Sequence, residues 1–225
     1  TLVDADALVL GTSSVSGHLN VTTSGAITDS GTLAITGTST LAAGAGNHIT
    51  LNTTSNNFIG AVLITSGNDV TLVDANALVL GTSSVSGNLD VTTSGAITDS
   101  GTLVITGTST LAAGAGNNIT LNTTGNNFTG AVLVTSGNDV TLMDADALVL
   151  GASTVFGGLT VTAALGDIID TGALDVSGDA SFTADATGAD IVLDDSSNRF
   201  GGALAFASAG GLEDLTLVDT TGVEL

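Results

Sequence analysis

Apolar and polar residues alternate along this chain in short bursts. Val70-Thr71-Leu72-Val73, Leu89-Asp90-Val91, Leu103-Val104-Ile105-Thr106 and Ile119-Thr120-Leu121 are representative. A period of two marks a strand with one inward face, because successive side chains point to opposite sides. Clusters of Gly, Asn, Ser and Asp separate the bursts, and these residues favour turns. No window shows helical spacing between plausible caps. The pattern predicts an all-β chain of many short strands, with Gly and Asn supplying the turns that a Pro-free sequence needs.

The bursts repeat. Residues 1–70 and 71–140 align without a gap and differ only at Asp6/Asn76, His18/Asn88, Asn20/Asp90, Ala34/Val104, His48/Asn118, Ser55/Gly125, Ile59/Thr129 and Ile64/Val134. A diverged third unit occupies 141–210, and 211–225 begins a further one. Small insertions bring Gly95 onto Gly166, Phe128 onto Phe200 and Asp144 onto Asp219, while Leu225 matches Leu150. The chain thus starts and stops inside a unit, without the polar capping repeats of a closed array. We expect one continuous solenoid cut from a longer array.

In the second unit the pattern predicts nine strands, at 71–73, 77–80, 84–86, 89–91, 96–98, 103–106, 110–112, 119–121 and 131–135, with 122–128 as a long turn. Nine strands suit three coils of a three-sided β-solenoid, although four shorter coils fit as well. Three coils would advance each unit by ~14 Å and give a rod roughly 45 Å long. Asp74 and Asp144 would then sit about 14 Å apart, beyond a Debye length of ~8 Å.

Composition narrows the picture. Aromatics make up 3% of the chain and all are Phe, so a core of Val, Leu, Ile and Ala has to be thin to reach native packing density. The 43% hydrophobic content argues against general disorder. The net charge is −21 and Arg199 is the only basic side chain. Phosphate contacts need Lys and Arg, so nucleic acid is excluded as a partner, and anionic lipid is disfavoured. Zero Cys leaves no disulfide or thiolate metal site. There is no apolar run long enough for a transmembrane helix, so no membrane insertion is expected. Thr1 opens the chain with no visible signal peptide.

Residues 68–87 (NDVTLVDANALVLGTSSVSG) and 87–132 (GNLDVTTSGAITDSGTLVITGTSTLAAGAGNNITLNTTGNNFTGAV) resemble the repeats of filamentous-haemagglutinin-type exoproteins, adhesins of the two-partner secretion class. The resemblance covers nearly the whole chain. It implies a right-handed parallel β-helix with about three coils per unit. It also implies an extended extracellular filament at the bacterial cell surface, associated with the outer membrane through a secretion partner. The family's Asn-Pro secretion motifs are absent from this Pro-free chain. The expected role is a non-catalytic stalk whose main partners are neighbouring repeats of its own chain. The alternatives are a binding face for a host-cell or biofilm-matrix ligand, and a fibre subunit that associates end to end.

Candidate chemistry is sparse, and no catalytic, cofactor or metal residues are assigned. Glycosidases need two carboxylates across one cleft. Asp144 with Asp146, or Asp194 with Asp195, supply the atoms, but an active site would break the repeat once rather than recur in it. Polysaccharide lyases need a base and cations, and this chain has one Arg and no Lys. His18 and His48 are Asn88 and Asn118 in the next unit, as expected of solvated turn residues. Asp4 with Asp6 lacks a calcium-loop pattern, and Asp6 becomes Asn76. Asn56-Asn57 and Asn126-Asn127 suit sharp turns, followed by Phe58 and Phe128, each expected to fill a corner of the core; exposed sugar-stacking rings are the alternative. Asn-x-Thr sequons at Asn20, Asn52, Asn118, Asn122 and Asn127 read as products of composition. Thr108 and Thr110 recur too sparsely for an ice-binding array. Phe156, Phe182, Phe200, Phe206 and Arg199 form the one candidate non-repeating patch.

Overall fold

The period-two pattern becomes parallel β-structure throughout. The computed structural model describes residues 1–222, and the strands it contains are short and all paired in parallel. Leu225, matched above to Leu150, lies outside the described residues. The first unit supplies β1 (Leu2–Asp4), β2 (Leu8–Leu10), β3 (Ser13–Val15), β4 (Leu19–Thr23), β5 (Ile27–Asp29), β6 (Leu33–Ile35), β7 (Ser39–Ala42), β8 (Ile49–Leu51), β9 (Asn57–Phe58) and β10 (Val62–Ser66). The second supplies β11 (Val70–Asp74), β12 (Leu78–Leu80), β13 (Ser83–Val85), β14 (Leu89–Thr93), β15 (Ile97–Asp99), β16 (Leu103–Ile105), β17 (Ser109–Ala112), β18 (Ile119–Leu121), β19 (Asn127–Phe128) and β20 (Val132–Ser136). Then follow β21 (Val140–Asp144), β22 (Leu148–Leu150), β23 (Ser153–Val155), β24 (Leu159–Ala163), β25 (Ile168–Asp170), β26 (Leu174–Val176), β27 (Ala180–Ala184), β28 (Ala189–Leu193), β29 (Arg199–Phe200), β30 (Leu204–Ala207) and β31 (Leu212–Leu217).

The chain winds as a β-solenoid of about 10 turns with about 21 residues per turn, as the sequence pattern predicts. Each coil places one strand on each of three sides. Register stacks like on like: Ile27 lies beside Ile49, and Ile49 beside Val70. Inward positions form one continuous aliphatic core running the length of the rod. Outward positions carry Thr, Ser, Asn and Asp. Backbone groups are satisfied by the coil above or below, as where the Leu89 amide donates to the Thr108 carbonyl at 2.9 Å.

The structure departs from the predicted strand count. A tenth strand, β19, lies inside the segment read as a long turn, as does β9 in the first unit. Ten strands do not divide by three, so each unit begins one side further round. On the first side β1 pairs with β4, β4 with β7 and β7 with β10. The second unit's opening strand, β11, instead pairs with β8 and β14, on the second side. The third unit's β21 pairs with β18 and β24, on the third side. One unit is therefore about three and a third coils, a rise of ~16 Å. Asp74 and Asp144 do not line up along one side, as a three-coil unit would have placed them; they sit on successive sides.

Candidate functional site

The densest polar chemistry in the chain lies at the Asn-Asn-Phe turn that ends each unit. In the second unit Asn126 is fully buried. Its Oδ1 accepts the Leu103 amide at 2.9 Å, and its Nδ2 donates to Asp99 Oδ2 at 2.6 Å. Asp99, from the coil below, also accepts the Asn122 and Thr123 amides, each at 3.1 Å. From the coil above, Asp144 accepts the Phe128 amide on Oδ2 and the Asp146 amide on Oδ1, both at 2.7 Å. Two carboxylates thus clasp the turn, and the Phe128 ring packs beneath it, buried in the core.

The clasp recurs. Asp29, Asn56 and Asp74 make the same bonds around Phe58. In the diverged unit Asp170 and Asn198 keep theirs, and Asp219 accepts the Phe200 amide at 3.1 Å. Burial pushes the Asp74 and Asp144 carboxyls above the usual carboxylate range, against the pull of the amides they accept. Asp219 goes the other way: burial raises it, but hydrogen bonds from Phe200 and Thr221 outweigh that and hold it low. These carboxylates hold backbone amides and side-chain nitrogens of their own turn; none is paired with a second carboxylate across a cleft. The arrangement is a fastening.

Asp144 and Asp146 belong to the clasp, with Asp146 Oδ2 accepting Asn127 Nδ2 at 2.6 Å. The Asp194 and Asp195 amides cap Asp170 at 3.0 and 3.3 Å, and Asp195 turns back to the Ser197 amide. Asp4 caps the Asp6 amide within a turn. Among the described residues no group of three or more His, Asp or Glu gathers in a way that would hold a metal ion. His18 Nδ1 accepts the Thr38 amide at 3.0 Å, and Asn88 Oδ1 accepts the Thr108 amide at 2.9 Å. The two residue types exchange because each offers one acceptor to the coil above. His48 lies at the surface, 3.2 Å from Asp69.

Phe58, Phe128 and Phe200 fill the interior, which overturns the alternative of exposed stacking rings. The third-unit patch does not form. Phe182 is buried, edge-on to Phe200 and stacked on Phe206, with ring centroids 6.0 and 5.8 Å apart. Phe156 stays outside, and Arg199 reaches Asp175 at 3.9 Å, exposed. At the Thr1 end Leu2, Leu10, Val15, Leu19, Leu33 and Ile35 line a hollow of about 210 Å³, the open end of the core. No helix is long and apolar enough to cross a membrane among the described residues.

Sequence reading missed Asp29, Asp99 and Asp170, the lower half of each clasp. Near-identity of the first two units hid them, since almost everything there recurs. The third unit, which changes most positions but keeps Asp170 and Asn198, carried the signal.

Stacked parallel rungs, a slim aliphatic interior and one structural clasp per unit define a repetitive β-solenoid. The chain belongs to the DUF5649 family, repeats of unknown function, which matches residues 1–65, 67–135 and 137–207. No curated protein and no solved structure matches the chain.

Proposed function

We propose that this chain is a length-setting spacer in a secreted bacterial surface filament and performs no catalysis. The observation that supports this reading is the repeat-to-repeat match of the clasp. Its carboxylates and amides are engaged in joining one coil to the next, which suits a rod built to span distance. Stability in such a rod is close to a sum of neighbour terms, so length grows by adding units. The acidic surface keeps rods apart in solution. The resemblance to filamentous-haemagglutinin-type repeats favours an extracellular place at the cell surface, an outer-membrane secretion partner, and ligand recognition elsewhere in the parent filament.

A direct test inserts the chain between a surface-anchored domain and a fluorescent tip. The tip is expected to rise by roughly 50 Å, from ten coils at ~4.8 Å each. Strong binding of the isolated chain to host cells or glycans, or turnover of a polysaccharide, would count against the proposal.

A further inference from the structure

At the first hand-over from one unit to the next, two of the rod's three sides lose most of their ladder. Within the second unit, neighbouring strands share two to five residue pairs. At the boundary β9 pairs with β6 below but with no strand above. Next to it, β10 meets β12 through one pair, Val62 with Leu80, and β13 through one bridge, Gly67 with Val85. The following boundary is the same: Val132 with Leu150, and Gly137 with Val155. Only the side carrying β8, β11 and β14 continues its ladder across the first boundary.

Side chains replace the missing main chain. Asp74 accepts the Phe58 amide, and Ser83 Oγ accepts the Ile64 amide at 3.0 Å while donating to the Gly81 carbonyl. Asp144, Ser153 and Gly151 do the same one unit later. We propose that these seams make the 70-residue unit, rather than the single coil, the step in which the rod gives way under tension. In a stack held by neighbour terms, the interface with the fewest backbone bonds separates first. A unit so released has only about three coils and two open ends. That is the bare minimum of about three stacked layers for a shared core, so once its seams open the unit unravels as a block. Its value to the cell rests on the spacer reading: a stalk under load would lengthen in large, limited steps before its tip is torn away.

The test holds the chain by its two termini in optical tweezers. Unit-sized steps of ~230 Å are expected, from 70 residues at ~3.5 Å less the folded rise of ~16 Å. Steps of ~70 Å, one coil each, or a single collapse of the whole rod would overturn the proposal. Asp144→Asn is expected to move one unit-sized event to lower force and leave the rest unchanged; an unshifted pattern counts against the seam. Should that variant not fold, amide exchange on the unaltered protein decides. Phe58, Ile64, Phe128 and Val134 amides, bonded to side chains, should exchange faster than those of Leu89 and Ile119, and equal rates would contradict the inference. Unit-sized steps in a chain that binds a host ligand tightly would retain the seams and remove the spacer reading. Coil-sized steps in a chain without a ligand would do the reverse.

Discussion

Ser39 and Ser109 face the interior between aliphatic neighbours, Leu19 and Val62 in one case and Leu89 and Val132 in the other, and neither hydroxyl has a partner. The third unit has Ala180 at this place, between Leu159 and Leu204. Ser109→Ala is expected to stabilise the protein by about 1 kcal/mol, because an unpaired hydroxyl is no longer kept from water. A higher urea midpoint at unchanged slope would show it; a lower midpoint would mean that the hydroxyl is satisfied in solution. Asp144 is the opposite case. Asp144→Ala strips the acceptor from the Phe128 and Asp146 amides and should cost about 2 kcal/mol. Its pH dependence has a definite sign. Burial raises the Asp74 and Asp144 carboxyls above their ordinary 3.8, so the folded chain holds protons that the unfolded chain has released. That contribution is most favourable below the unfolded value and declines as pH rises through the raised one. The melting temperature should therefore climb as pH falls through the raised values towards 3.8, and climb less in Asp144→Asn, whose side chain does not titrate. Asp219, held below 3.8, adds stability that disappears only in stronger acid.

At the scale of strands and turns, the closeness of neighbouring coils sets what is tolerated. A Cβ on Gly130 would strike the Gly107 carbonyl of the coil below, in a turn held by the bond from the Gly107 amide to the Gly87 carbonyl, whereas one on Gly116 would meet nothing within 4 Å. Gly130→Ala is expected to cost about 3 kcal/mol, and Gly116→Ala less than about 0.5 kcal/mol, both read from chemical unfolding. Equal effects would mean that the turns carry no packing role. These elements also explain what the sequence disclosed. Nine of the second unit's strands are legible because aliphatic residues alternate within them. The tenth, β19, has two residues and no room to alternate. Its place is set by Asp144 from the next coil, a long-range bond that no local pattern contains. The aromatic patch failed for a readable reason. In Ser181-Phe182-Thr183 the Phe occupies the inward position, and Phe200 follows outward Arg199, so strand parity sends both rings inside.

For the whole molecule, ten strands per unit on a three-sided rod make every repeated surface feature turn by a third of a revolution and rise by ~16 Å from one copy to the next. No side accumulates all copies of an acidic residue, which spreads the net charge of −21 around the rod and weakens self-repulsion. Deleting residues 71–140 tests this geometry. The cut joins Val70 to Thr141, and Thr141 already follows Val140 in the identical setting Gly-Asn-Asp-Val. Asp144 would then fasten Phe58 in place of Phe128, through the same bonds that Asp74 makes now. The shortened chain should fold cooperatively, with a maximum dimension in solution scattering smaller by ~16 Å. A spin label on exposed Phe156, measured against one on Ser14, should also show the distal part turned by one side as well as lowered. Were the two labels to approach by the rise alone, the unit would hold a whole number of coils. Were the chain to lose cooperative folding, the interfaces between units would not be interchangeable, and growth by simple duplication would lose its physical basis.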